Sequence, residues 1–381
     1  MAYDKVVDSA SLDSKLTQVA DAIRTKGNTS ADLQFPSGFI SAIQAIQTGT
    51  ELKIIVSVTS GATVTATKGS KVVSGTSVDR TCTLTVPEAG TWSVKATLGG
   101  QTSDTKSITF TDRYSLAFFL VSAVLNDNDW ATIKTVSDAG QGANYWSVGD
   151  RKAVTLNGTV GALTLSNFTT YAYIIGFNHN ASVEGANRIH FQLAKTALSG
   201  GTDVALCDSD YGDNPGGGFR MNSSGTSSGG WASSNMRTEI CGTSLSSYSG
   251  TIIAVIPEVL RAVLKSVTKY TDNVGGNSGD VASNVTPTAD YFFLLSEVEV
   301  FGSITYGNTT EASKQAQYAY YSAGNSKIKY KYNNMSVAAL WWLRSPRAAK
   351  YADRFLDVNR DGECGYVDSD FSLGFAPGFC V

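Results

Sequence analysis

Histidine is almost missing: His179 and His190 are the two in a chain of 381 residues. Any Ser–His or Cys–His catalysis is therefore restricted to these two positions. His190 alternates with apolar neighbours in Arg188-Ile189-His190-Phe191 as a strand residue does, and His179 lies in the turn-like Asn178-His179-Asn180, so both read as structural or solvated. A nucleophile elbow, a glycine-rich phosphate loop and a His-x-x-x-His pair are also missing. Cysteine is scarce and odd in number. Cys82, Cys207, Cys241, Cys364 and Cys380 form neither a disulfide framework nor a zinc spacing, and free thiols in a reducing compartment are the plain reading. No apolar run reaches the ~20 residues of a membrane span. Met1-Ala2-Tyr3-Asp4-Lys5 lacks the basic and then apolar opening of a secretory signal. Neither sign of charge dominates: 30 Lys and Arg against 33 Asp and Glu leave a net −3, with no electrostatic footprint for nucleic acid. These absences argue against an enzyme, a nucleic-acid binder and a membrane-inserted protein, and no cofactor is expected.

What is present is a foldable composition, 42% hydrophobic and 17% charged, with 37 Gly against 7 Pro. That suggests two or three domains built of short strands and many turns. Residues 9 to 48 read as helical. Leu12, Leu16, Val19, Ala20 and Ile23 recur at helical spacing, and Ser11 or Asp13 offers a cap. Gly27-Asn28-Thr29-Ser30 breaks the run. Pro36-Ser37-Gly38 opens a second helix with Phe39, Ile40, Ile43 and Ile46 on one face. Such apolar faces call for a partner. From 51 to 111 the period changes to two, in 52–58, 62–66, 82–86 and 91–96, as in a small antiparallel sandwich. The large domain, 114–381, mixes short strands (154–156, 171–177, 189–193, 252–256, 291–295) with helices at 128–137 and 257–267. A Gly- and Ser-rich loop runs from 200 to 230. The class is α+β, in three parts: 1–49, 50–113 and 114–381.

The last forty residues organise the rest. Ala338 to Leu343 and Gly374 to Val381 are apolar clamps. Between them the chain is crowded with Asp, Tyr, Asn, Gly, Ser and Ala. Exposed Tyr beside small polar residues is the composition of a binding surface, giving contact area at low entropy cost. Trp341 and Trp342, flanked by Leu340 and Leu343, are expected in the core. Arg344 is expected partly buried and paired with Glu297 or Glu299, because an unpaired buried guanidinium is costly.

Several pieces carry resemblances. Ala20 to Arg24 and Phe35 to Phe39 resemble N-terminal segments of tail-associated proteins in phages of Gram-positive bacteria. Pro87 to Val94 resembles immunoglobulin-like spacer domains. Five ordered pieces, Tyr145 to Asp150, Ile174 to Asn180, Gly230 to Arg237, Phe293 to Glu299 and Trp341 to Pro346, together look like a C-type-lectin-like domain of bacterial and phage surface proteins. The ending Gly374 to Val381, after a polar stretch, resembles the variable proteins of diversity-generating retroelements. In that family an error-prone reverse transcriptase rewrites adenines in the C-terminal coding region while the scaffold stays fixed.

The resemblance implies a C-type-lectin-like domain behind an immunoglobulin-like sandwich and a short helical attachment segment. It also implies a variable region at about 345–381. Its diversified, ligand-binding positions would be Ala348, Ala349, Tyr351, Asp353, Asp357, Asn359, Asp361, Tyr366, Asp368, Ser369 and Asp370, with Phe355, Val358 and Gly362 as scaffold. Lys350 and Glu363 depart from the pattern, being unreachable from an AAC codon by adenine changes. The implied function is a phage or prophage tail-tip adhesin that binds a host cell-surface protein or glycan. The N-terminal segment would join other tail or virion proteins, in a homo-oligomer with a trimer favoured. The alternative is a bacterial surface protein that binds or processes glycans.

Other readings of the same residues fare worse. Asp357, Asn359, Asp361 and Asp368 have the spacing of a calcium loop with Gly362 at the sharp turn, but Gly374 and Pro377 spoil the helix that should follow. No metal is assigned. Lectin-like scaffolds also host a cysteine-oxidising enzyme with paired cysteines, for which Cys364 and Cys380 lack the context. The calcium-dependent sugar triplets Glu-Pro-Asn and Trp-Asn-Asp are missing. Lys327 to Tyr332, alternating Lys with apolar residues, reads as an edge strand defended by lysines.

Overall fold

Apolar spacing in the first helix, Ser9–Gly27, turns Ala20 and Ile23 onto Phe39 of the second, Ser37–Ala45. The computed structural model describes residues 9–27, 30–45, 51–98, 101–118 and 120–381. Ile46, the expected break at Asn28-Thr29 and the opening Met1 to Lys5 lie outside them. The first helix already runs at Ser11 and Asp13, so neither caps it. Leu12, Val19, Ile40 and Ile43 stay about half exposed, an apolar face without a partner among the described residues.

Mixed α/β structure with strands predominating divides into two units, Met1–Phe118 and Phe119–Val381. After its helices the first unit builds two sheets. One orders Thr81–Thr85, Lys53–Ser57 and Arg113–Ala117; the other orders Lys71–Thr76, Thr63–Lys68, Gly90–Leu98 and Gln101–Thr102, with Lys106–Phe110 also pairing to Gly90–Leu98. Alternation buries one face of each strand, as with Ile54 and Val56, or Trp92, Val94 and Ala96. Gly75 of one sheet faces Cys82 and Leu84 of the other. Arg113–Ala117 runs parallel to Lys53–Ser57, so residues 114–117, expected to open the large domain, complete the first unit instead.

The second unit is centred on a five-stranded sheet ordered Phe292–Phe293, Gly378–Cys380, Ile189–Lys195, Leu163–Phe177 and Arg151–Val160. The last strand of the chain thus lies inside the sheet, antiparallel to Ile189–Lys195 and to Phe292–Phe293. The helix expected at 128–137 forms as Trp130–Asp138, capped by the Asp129 carboxylate on the Thr132 amide at 2.6 Å.

Three expectations fail here. Residues 252–256 form the short helix Ile252–Val255, not a strand, because a short apolar run buried on all sides has no period of its own. The helix expected from Pro257 to Val267 stops after Glu258–Arg261, and Val267 begins the strand Val267–Asp272. Lys329–Lys331 is no edge strand: it lies between Val204–Ala205 and Asn334–Ala339. Lys329 is buried there, its ammonium donating to the Tyr173 hydroxyl at 2.9 Å and lying 5.1 Å from the Trp341 ring centre.

Candidate functional site

Trp341–Pro346, Arg354–Val358 and Cys364–Asp368 form an antiparallel sheet that holds the C-terminal stretch. Every residue from Trp341 to Ala348 is buried, as is every residue from Ser372 to Val381. The expected core position of both tryptophans is observed. The Trp341 Nε1 donates to the Lys327 carbonyl at 2.9 Å, and the Trp342 Nε1 to the Phe219 carbonyl at 2.8 Å. These bonds satisfy the polar end of each buried indole.

Between the clamps the chain is tied down through its backbone. The Ala348 amide donates to the Tyr306 carbonyl at 3.1 Å, and the Gly279 amide to the Ala348 carbonyl at 2.9 Å. The Ala352 carbonyl accepts the Ser227 amide, the Ser369 carbonyl accepts the Asn222 amide, and the Asp370 carbonyl accepts the Gly216 amide. The Ser369 amide donates to the Asp353 carbonyl at 2.8 Å. Main-chain bonds of this kind do not depend on which side chain stands at the position.

The expected site residues divide. Ala349, Tyr351 and Asp361 are exposed, and Asp353, Asn359, Tyr366, Asp368 and Asp370 are half-buried. Ala348, Asp357 and Ser369 are buried, which corrects their expected place on a displayed surface. Ala348 and Ser369 are pinned on both sides by the amide bonds just described. Asp357 sits in the middle strand of the sheet, where Phe355, Leu356 and Val358 are buried too; with both faces covered, alternation no longer marks an outward side.

The calcium spacing also dissolves. Asp357 pairs with Gly365 and Arg354 with Asp368 across a hairpin whose turn holds Asp361. Asp368 is therefore ~17 Å of strand beyond Glu363, away from the turn.

Tyr351, Tyr366 and Asp368 do come together. The two tyrosine rings stack at 5.7 Å, and the Tyr306 ring meets Tyr366 edge-on at 5.0 Å. The Arg347 guanidinium lies 3.7 Å from the Tyr366 ring centre, and that of Arg354 lies 4.3 Å from the Tyr351 ring centre. Arg354 Nε is also 3.0 Å from Asp368 Oδ1, without the alignment of a hydrogen bond. Arg347 Nε donates to the Ala349 carbonyl at 2.9 Å, while its buried Nη1 has no hydrogen-bond partner among the described residues. The result is a patch of aromatic faces and guanidinium groups, a chemistry suited to gripping carbonyl, carboxylate or aromatic groups of a partner. Sequence reasoning missed Arg347, Arg354 and Tyr306. The arginines stood within the polar stretch, but Tyr306 comes from a distant loop and gave no signal.

The same unit holds a buried ionic network. Arg344 is fully buried and pairs with Glu299, the second of its two expected partners; its Nε donates to Thr271 Oγ1 and its Nη1 to the Leu294 carbonyl, both at 2.8 Å. The Lys269 ammonium donates to Glu184 and Glu299 at 2.7 Å each and to the Tyr318 hydroxyl at 2.8 Å. Glu297, the other expected partner, instead accepts the amides of Thr305, Tyr306 and Gly307 and shapes the loop under Tyr366.

Burial pushes the Glu184 carboxyl up to about 7 despite Lys269. Burial acts the same way on Glu299, but Arg344 and Lys269 outweigh it and hold that carboxyl well below its usual range. The His179, Glu184 and Glu299 ligand atoms lie within 4.8 Å of one another, close enough for one metal ion. Lys269 and Arg344 already supply the positive charge that these carboxylates need.

His179 and His190 are both buried, and desolvation lowers His179 to about 3 and His190 well below its ordinary value. His190 Nδ1 lies 3.2 Å from Cys380 Sγ, but burial pushes that thiol up to about 12. Burial likewise raises the Cys364 thiol, which donates to Glu297 Oε1 at 3.3 Å. Neither thiol is an activated nucleophile.

Residues 205–381 match a protein family described as a domain of unknown function (DUF6273). No curated protein and no solved structure matches the chain.

Proposed function

We propose that the second unit is a diversified ligand-binding domain of C-type-lectin-like fold, and that the protein is a phage or prophage tail adhesin for a host cell-surface molecule. The observation that carries this reading is the division of labour in residues 347–370. Amide bonds and buried clamps hold the backbone, while Ala349, Tyr351, Asp353, Asn359, Asp361, Tyr366, Asp368 and Asp370 keep side chains at the surface. A segment so built tolerates replacement of those side chains without loss of fold. The Tyr351, Tyr366, Arg347 and Arg354 patch is the contact surface of this particular variant. The first unit's strands serve as an immunoglobulin-like spacer, and the exposed apolar face of its helices joins other tail subunits or further copies of the chain.

Two experiments test the reading. Sequencing downstream of the gene should find a near-copy of the codons for 345–381 beside a reverse transcriptase. Replacing Tyr351, Tyr366 and Asp368 together by Ala should abolish binding to the host cell while moving the melting temperature by only a few degrees. A collapsed fold in that variant sinks the proposal.

A further inference from the structure

A second recess lies in the same unit, with a volume of about 520 Å³ and no residue of the tyrosine patch in its lining. Polar side chains predominate in its lining, with Thr238, Ser247, Ser249, Asn235, Arg220 and Glu239 beside Ile240 and several glycines. No Phe, Tyr or Trp lines it, so it offers no stacking face for a neutral sugar ring. Arg220 is half-buried, and among the described residues its guanidinium makes no hydrogen bond, ion pair or ring contact. Glu239 Oε1 accepts from Asn235 Nδ2 at 2.7 Å, which orients the carboxylate.

The walls are held in place before any ligand arrives. Buried Asp208 accepts the amides of Gly218 and Phe219 at 2.6 and 3.1 Å, and the Ser372 hydroxyl at 2.8 Å, fixing the loop that delivers Arg220. Gly218 lets that loop cross the Gly161 turn, since a Cβ there would lie 2.2 Å from the Ala162 nitrogen. Also lining the recess is part of Met236–Cys241, a π-helix, a form frequent at functional sites. Arg237 anchors it through Nε to Asp290 Oδ1 at 2.6 Å and turns Thr238 and Glu239 to the recess.

We propose that this recess binds a small acidic sugar, with Arg220 taking the carboxylate and Glu239 with the neighbouring hydroxyls taking the ring hydroxyls. A guanidinium without a protein partner supplies a charge-assisted, two-point contact for a carboxylate. Hydroxyls and an oriented carboxylate match a polyol. Hydrolysis is not part of the proposal, because Glu239 is the one carboxylate lining the recess and glycoside cleavage ordinarily takes a pair. The site is independent of the tyrosine patch and stands whether or not that patch binds a host receptor.

The test is calorimetric titration of the full chain with sodium glucuronate, glucose and inorganic phosphate. Glucuronate should bind at least tenfold more tightly than either of the others. Arg220→Gln should weaken it at least tenfold with an unchanged melting temperature, Thr238→Val should weaken it several-fold, and Tyr351→Ala should leave it as in the parent. Full binding by Arg220→Gln, glucose binding as well as glucuronate, phosphate binding equally well, loss in Tyr351→Ala, or no binding of glucuronate at all would each overturn the assignment.

Discussion

At Arg344 the guanidinium has left water completely, and what makes this tolerable is the set of acceptors around it: Glu299, Thr271 Oγ1 and the Leu294 carbonyl. Removing one partner of such a pair strands the other, which typically costs about 3–5 kcal/mol. Arg344→Met should therefore lower the unfolding free energy by that amount, read from urea denaturation, and Glu299→Gln should do so comparably. The surface pair Arg354–Asp368 is a different case. Both side chains are about a third exposed, and such pairs are worth about 0–1 kcal/mol. Asp368→Ala should shift the denaturation midpoint barely at all. The contrast explains how one segment can carry both indispensable and replaceable charges.

At the scale of elements, the Trp341–Pro346 strand is buried along its whole length, and its two indoles fill the space beside Phe219 and the Lys327 loop. Trp342→Ala should cost about 3–5 kcal/mol through lost burial and the cavity left behind. Tyr351→Ala, in the exposed loop just after this strand, should cost under ~1 kcal/mol. If chemical denaturation ranked these two variants the other way round, the loop would be framework and the strand would not. Gly230 makes a similar point for the backbone. At φ +52° a Cβ would sit 2.1 Å from the Asp272 carbonyl oxygen, so Gly230→Ala should disturb the turn that leads into Trp231.

For the molecule as a whole, the buried titratable groups set the response to pH. His179 and His190 have folded-state values far below the unfolded value of ~6.5. Each thus binds a proton in the unfolded chain but not in the folded one, and stability falls as pH drops below about 6.5. Glu299, held low, acts in the same direction below ~4.5. Glu184 and Glu311, both raised to about 7 by burial, act oppositely: their contribution is lost as pH rises from ~4.5 to 7. The two groups oppose each other between pH 4.5 and 6.5. Below 4.5 the destabilising terms stand alone, at ~1.4 kcal/mol per pH unit for each histidine. Melting temperature should vary little from pH 6.5 to 4.5 and then fall steeply, and His179→Gln should make that fall shallower.

Local pattern in the sequence determined a good deal. Period two marked the strands at 53–57, 63–68, 81–85 and 90–98, and helical spacing marked Ser9–Gly27 and Trp130–Asp138. The apolar clamps around the polar C-terminal stretch were legible for the same reason, since burial follows composition when a run is long enough. Only the tertiary structure decided that Asp357, Ala348 and Ser369 turn inward, that Lys329 lies in a central strand, and that Tyr306 joins Tyr351 and Tyr366. Those outcomes depend on which elements cover a given face and on contacts between segments distant in the chain. The Arg344–Glu299 pair was legible beside the tryptophans, but the charges at Lys269 and Glu184 that complete the network were silent, because an ionic group is stable in a core only beside partners that the fold alone brings there.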